Sequence, residues 1–347
     1  MSAVNAVNNF LELRPSRIGD MVADAIAMNQ PLMIWGPPGV GKTSIVTQRA
    51  EALGLKCIVI SLTLFDPVDL RGLPTVDPDT MTVKWLPLGE LPTEGEGVLF
   101  FDEINTADPS VMAAAMRLIL NGRLGEYVLP AGWRRIAAGN RVEDGASANR
   151  MPSALADRFA HVTMGVHTDD WIDWADRAGL PGIISAFIAF RPAQLHNFEP
   201  RATVNTTPRG WADVAKFIER YKGVSSDVAF AFVAGRVGAG AATELRAFTD
   251  LWMSLPDLED VLVRSDFSSV SRMTSPGLKY AMTMALAERV ALSPTPGSFA
   301  NALAYTGKIG AEFGRLASMS AIRRNPALAS STEYLRWATS PSARLVG

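Results

Sequence analysis

The sequence predicts an α/β protein, a parallel-sheet core followed by a largely helical region. Three observations predict it. The Gly-rich string Gly36-Pro37-Pro38-Gly39-Val40-Gly41-Lys42-Thr43 lies between an apolar run, Pro31-Leu32-Met33-Ile34-Trp35, and a helix-forming run from Thr43-Ser44-Ile45-Val46 to about Leu53. Short apolar runs recur at residues 57–61, 98–101, 135–139 and 160–164, alternating with helical signals, as in a sheet whose strands are joined by helical crossovers. Beyond about residue 166 the helical signals dominate.

The first string has the pattern of a phosphate-binding loop in the context that pattern requires, after a strand and before a helix. Its glycines let successive backbone N–H groups turn inward around phosphate oxygens, and the positive end of the following helix adds to the attraction. On this reading residues Gly36, Pro37, Pro38, Gly39, Val40, Gly41, Lys42, Thr43 and Ser44 form the nucleotide cradle. Lys42 reaches the β- and γ-phosphates, and the Thr43 hydroxyl ligates Mg²⁺.

Composition bounds the remaining possibilities. A chain of 347 residues is long enough for two cores, and 48% hydrophobic with 20% charged residues describes a globular protein. A formal net charge of −2 shows no basic excess, which argues against a nucleic-acid partner. Cys57 is the only cysteine, so an intrachain disulfide and a cysteine-based zinc site are both excluded, and a reducing compartment is favoured. The first ten residues lack the pattern of a secretory signal, and no apolar run approaches the length of a membrane span. The expected location is the cytoplasm.

Each element has its own local cause. The Val and Ile content of Cys57-Ile58-Val59-Ile60-Ser61 predicts a parallel strand buried on both faces. Residues 64–74 are rich in turn formers, with Asp66 and Asp69 in turn or capping roles, and residues 82–85 predict a hairpin arm with those before them. Asp108-Pro109 opens a helix as N-cap and first residue, Met112, Met116 and Ile119 line its apolar face, and Asn121-Gly122 ends it. Residues 123–133 predict a hairpin and 150–159 a helix. Further helices are expected at 169–178, 182–190, 208–221, 226–237, 241–255, 275–291 and 298–323, with 292–297 a loop. Residues 340–347, and the stretch from Asn325-Pro326 onward, predict partial order.

The run Val98-Leu99-Phe100-Phe101 delivers two adjacent carboxylates, Asp102 and Glu103, at a strand end. Beside a phosphate loop the first holds Mg²⁺ and the second orients and deprotonates the water that attacks the γ-phosphate. Asn140 lies at the tip of the next strand, where its amide can help position the same water; in isolation it would be a turn residue. The three histidines, His161, His167 and His196, have no metal-ligand spacing, and the eight tryptophans fall mostly in helical patterns that core packing explains.

Five strings occur in order: Gly36–Thr43, Val98–Asn105 with its Asp-Glu-Ile-Asn ending, Ala138-Gly139-Asn140, Ala154–Phe159 and Thr207-Pro208-Arg209-Gly210. On these, over about residues 15–222, the chain resembles the MoxR-type branch of the AAA+ ATPases, and within it bacterial ATPases often encoded beside a von Willebrand A-like protein. The resemblance implies a P-loop NTPase core with a five-stranded parallel sheet of order 5-1-4-3-2 over residues 1–167. It also implies a helical lid and C-terminal extension over 168–347, with the lid's nucleotide sensor near 207–222. ATP with Mg²⁺ is the implied ligand, and a homo-oligomeric ring, usually of six subunits, the implied assembly, with hairpins before and after residues 98–105 facing its centre.

Carried over by residue, Lys42 and Thr43 belong to Walker A, Asp102 and Glu103 to Walker B, and Asn140 to sensor 1. Arg158 is the arginine finger that reaches a neighbour's γ-phosphate, with Arg141 and Arg150 as competitors, and Arg209 is sensor 2. An arginine in the first turn of a helix is disfavoured by the helix dipole unless an anion is near, which supports the Arg209 assignment. The function expected is an ATP-hydrolysing ring that remodels or activates a protein client, chaperone-like in its action. Two other classes stay open: a phosphotransferase acting on a small molecule, and an ATP-dependent binding module with little hydrolysis of its own. Residues 223–347 carry no interpretable motif.

Overall fold

In the computed structural model a parallel sheet organises the first of two units, Met1–Val166. The structure describes residues 10–66, 70, 72–86, 89–141, 149, 151–199, 201–340 and 343, with only the backbone at Lys84 and Leu86. The strands are β1 (Glu12–Leu13), β2 (Leu32–Trp35), β3 (Lys56–Ser61), β6 (Glu96–Asp102), β9 (Gly132–Gly139) and β10 (Ala160–Met164). Two antiparallel pairs stand apart from the sheet: β4 (Leu73–Val76) with β5 (Val83–Leu86), and β7 (Arg123–Leu124) with β8 (Tyr127–Val128).

The sheet order is β1-β10-β2-β9-β6-β3, with every pairing parallel. Without β1 this is the expected five-stranded 5-1-4-3-2 arrangement. The correction is the sixth strand, two residues long, which pairs Glu12 and Leu13 with Thr163 and Met164 at the edge.

Successive side chains of a strand point to opposite faces, and the core divides accordingly. Leu32, Ile34, Val98, Phe100, Ile136 and Ala138 pack with Ile18, Val22, Val46 and Ala50, from helices α1 (Pro15–Met28) and α2 (Lys42–Ala52). Met33, Leu99, Phe101 and Ala137 pack the other way, against Val111, Met112, Ala115 and Ile119 of helix α3 (Pro109–Asn121). Asp108 caps α3 by accepting from the Ser110 N–H, and Gly122 closes it in the left-handed conformation, as its sequence predicts.

Two expectations fail here for identifiable reasons. Strand β3 is not buried on both faces: among the described residues it pairs only with β6, at the sheet edge, and Val59 is 42% exposed. The helix expected over 150–159 shrinks to α4 (Ser153–Ala156), because Pro152 sits extended at its N-cap and the preceding residue is barred from helical geometry. Helix α1, whose Pro15 start and left-handed Asn29 end follow ordinary rules, went unforeseen. Asp69 and Arg150 lie outside the described residues.

The second unit, His167–Gly347, is helical. It comprises α5 (Thr168–Arg177), α6 (Gly182–Phe190), α7 (Pro208–Tyr221), α8 (Asp227–Val237), α9 (Ala239–Met253), α10 (Leu258–Leu262), α11 (Pro276–Leu292), α12 (Ser298–Ile309), α13 (Ala311–Arg324) and α14 (Thr332–Ala338). The single helix expected over 298–323 is two, because Gly310 caps the second in an extended conformation. Asn325 caps a short 3₁₀ turn, Pro326–Ser330, and α14 follows, so residues 326–338 are ordered into helical turns rather than partly ordered. Among the described residues no helix is long and apolar enough to cross a membrane.

Candidate nucleotide-binding site

The site gathers at the carboxyl ends of β2, β6 and β9, neighbours in the sheet order β2-β9-β6. Strand β2 enters the loop at Gly36, where an added Cβ would lie 2.9 Å from the Met164 carbonyl oxygen, so only glycine fits. Gly39 and Gly41 take φ of 77° and 102°, and Gly41 is the N-cap of α2 without a side-chain cap. The first N–H groups of α2 have no intrahelical acceptor, an arrangement that suits an anion. Val40 is buried in the core below and anchors the loop, and Ser44 is exposed in the first turn.

Lys42 is buried, 7% exposed, and its ammonium donates to the carbonyl oxygens of Gly36 at 2.6 Å and Pro37 at 3.0 Å. It also donates to Asn140 Oδ1 at 2.9 Å. Two residues separated by 98 positions, each singled out by sequence, thus meet in one hydrogen bond. The Thr43 hydroxyl donates to Asp102 Oδ2 at 2.5 Å, which brings together the two oxygen groups expected at a Mg²⁺. Asp102 also accepts from the Glu103 N–H at 2.9 Å through Oδ1. Glu103 has left-handed backbone angles, φ 51° and ψ 35°, and its side chain is exposed. A non-glycine residue held there is strained, a feature that concentrates at functional sites.

Asn105, whose own role was not foreseen although its string was, lies at the centre of this arrangement. It is 1% exposed and hydrogen-bonded twice to the backbone of Asn140, which is 4% exposed. Nothing in the local pattern signals this, since the partner lies 35 residues away.

The arginines fall in different surroundings. Arg158 follows α4, is exposed, and among the described residues its guanidinium forms no ion pair. Arg141, just past Asn140, is half-buried, and Arg150 lies outside the described residues. Arg209 belongs to the second unit, where it is exposed in the first turn of α7. That turn is capped by the Thr207 hydroxyl, and Trp211, Val214, Ala215 and Ile218 bury the helix's inner face.

His161 is a structural connector. Its Nδ1 accepts from Trp35 Nε1 at 2.9 Å, so Nε2 carries the hydrogen and donates to the Ala156 carbonyl at 2.7 Å. Its ring stacks on Phe10 at 4.6 Å. The end of β2 is thereby tied to the turn that carries Arg158. No cluster of three or more His, Cys, Asp or Glu side chains suited to a metal occurs among the described residues.

Comparison with known proteins bears on the same segment. Residues 31–159 match the family model of the AAA domain (dynein-related subfamily). The match takes in less than half of the chain. It encloses the phosphate loop, Asp102, Glu103, Asn105, Asn140 and Arg158. The chain is 27% identical to midasin of Giardia intestinalis over 162 residues, which is 44% of this chain and 3% of midasin. It is 41% identical to Lon protease 2 of Thermus thermophilus over 63 residues, 18% of this chain and 8% of that protein. The chain therefore spans a small part of these relatives. Among solved structures, a RuvB mutant of Thermotoga maritima is 14% identical, with a TM-score of 0.39, over 84% of this chain and 86% of that one.

Proposed function

We propose that the chain is an ATP-hydrolysing AAA+ ATPase of MoxR type that assembles into a homo-oligomeric, hexameric ring and remodels or activates a protein partner. A von Willebrand A-like protein is the partner class implied by the family resemblance. The observation that carries the reading is the convergence of Lys42, Thr43, Asp102 and Asn140, from three adjacent strand ends, with the exposed carboxylate of Glu103 next in sequence.

The N–H groups of the loop and the Lys42 ammonium would bind the β- and γ-phosphate oxygens. Thr43 Oγ1 and Asp102 form a hard-oxygen pair that fits Mg²⁺, a cation that takes one or two protein oxygens and fills its shell with water and substrate phosphates. Bound there, it would neutralise phosphate charge. Glu103 would accept the proton of a water whose oxygen forms the new bond to the γ-phosphorus, while the bond to the β–γ bridging oxygen breaks and ADP leaves. Asn140 would hold that water in line. Arg158, exposed and without an ion-pair partner among the described residues, suits a group that meets the phosphate of a second subunit, and Arg209 would report nucleotide state through α7. Loss of the γ-phosphate would then change the helical region's arrangement and act on the partner.

Glu103→Gln tests the reading. At saturating ATP and Mg²⁺ the variant is expected to hydrolyse at least about 10²-fold more slowly than the parent while retaining bound ATP. Hydrolysis at the parent rate would remove Glu103 from the mechanism.

A further inference from the structure

Strand β9 ends at Gly139, so the backbone of Asn140 has left the ladder while still buried. A buried N–H and C=O without partners are costly, and Asn105 supplies both. Its Oδ1 accepts from the Asn140 N–H at 3.0 Å, and its Nδ2 donates to the Asn140 carbonyl at 2.7 Å. The side-chain amide acts as one further rung of the sheet.

Asn105 is itself held. It lies in the 3₁₀ turn Ile104–Thr106, which Thr106 closes by donating to the Glu103 carbonyl from both its N–H, at 2.9 Å, and its hydroxyl, at 2.7 Å. The Asn105 carbonyl accepts from the Asn149 N–H at 2.6 Å. On the other side, an added Cβ on Gly139 would lie 2.5 Å from Asn105 Oδ1, so the approach is close enough to demand glycine.

Both bonds of this buried amide go to Asn140, whose own side chain accepts from the loop lysine. We propose that Asn105 is a positioning residue that locks Asn140 to the Glu103 turn, so that the water-holding amide and the carboxylate base keep one fixed geometry at the phosphate loop. The proposal rests on the reading of the site as an ATP-hydrolysing one. It adds a participant that touches neither nucleotide nor water.

A double-mutant cycle with hydrogen exchange tests it. Asn105→Ala is expected to lower kcat by about 10- to 100-fold with KM for ATP within about threefold, because misplacing a catalytic group by an ångström carries a cost of that order. In an Asn140→Ala background the same substitution is expected to change kcat by less than about twofold, since Asn105 acts only through Asn140. Losses that multiply in the double variant would overturn the proposal in favour of a general packing role. Asn105→Asp, which keeps the volume and the acceptor but removes the donor, gives the same test if Asn105→Ala does not fold; a parent-like kcat for it would also overturn the proposal.

Hydrogen exchange separates this proposal from the reading beneath it. In Asn105→Ala the Asn140 amide is expected to exchange at least about tenfold faster, with the amides of Phe100 and Ile136 unchanged. Unchanged exchange at Asn140 would sink the lock whether or not the parent hydrolyses ATP. A parent that hydrolyses no ATP would instead sink the reading.

Discussion

Lys42 shows how much of the site depends on single side chains. Its buried ammonium donates to Gly36, Pro37 and Asn140, so the loop and the end of β9 share one cation that a triphosphate would also attract. Its position was legible because a lysine after a glycine-rich turn has a local chemical reason. Its partner was not. Cys57 gives a prediction at this scale. Burial in the partly covered strand β3 pushes its thiol up to about 11. At pH 8 the folded protein should therefore react with a maleimide on the order of 10²-fold more slowly than a free thiol, the rate climbing toward pH 11. The folded state holds this proton more tightly than the unfolded one. The contribution to stability is thus fully present below about pH 8.5 and is lost as pH rises toward 11, which denaturant midpoints measured from pH 7 to 10.5 would register as a fall.

At the scale of elements, helix ends were the most legible features. Asp108-Pro109, Thr207-Pro208, Ser226 and Ser275-Pro276 all cap helices through side-chain oxygens, because capping involves residues two or three apart. The junctions between helices were not legible. Arg324 in α13 donates at 2.6 Å to Asp176 in α5, which is 1% exposed, and also to the Leu180 carbonyl. Ser185 of α6 donates to the same Asp176 oxygen at 2.9 Å, so one carboxylate joins three helices. Breaking a buried pair strands the remaining charge. Arg324→Met is therefore expected to lower unfolding free energy by about 3 kcal/mol, and adding Asp176→Asn to recover a large part of it, as urea denaturation of the three variants would measure. Equal losses in the single and double variants would show that the stranded charge is not the cause.

For the whole molecule, the match to an AAA domain over 31–159 encloses the candidate nucleotide site, and the ring is the part of the proposal that joins one chain to the next. Mixing tests it directly. Lys42→Ala should fail to bind ATP and Arg158→Ala should hydrolyse it about 10³-fold or more slowly, each inactive alone. If Arg158 serves a neighbour's phosphate, mixed assemblies contain sites that pair an intact loop with an intact arginine, and ATPase activity should return on mixing. No recovery in co-assembled mixtures would place the arginine's action within its own subunit or nowhere.

By itself the sequence determined what depends on neighbours in the chain: the phosphate loop, the apolar strands with Asp102 and Glu103 at one end, the caps, and the change to helices after residue 166. Those features arise from glycine sterics, strand and helix periodicity, and side chains that reach two or three residues. The tertiary structure alone decided that β3 is an edge, that Gly310 divides a helix, and that Pro152 leaves only four residues of α4. It alone brought Asn105 to Asn140 across 35 residues and Arg324 to Asp176 across 148. Such pairs form because a buried polar group must find a partner wherever packing supplies one, and that requirement leaves no period or spacing in the chain.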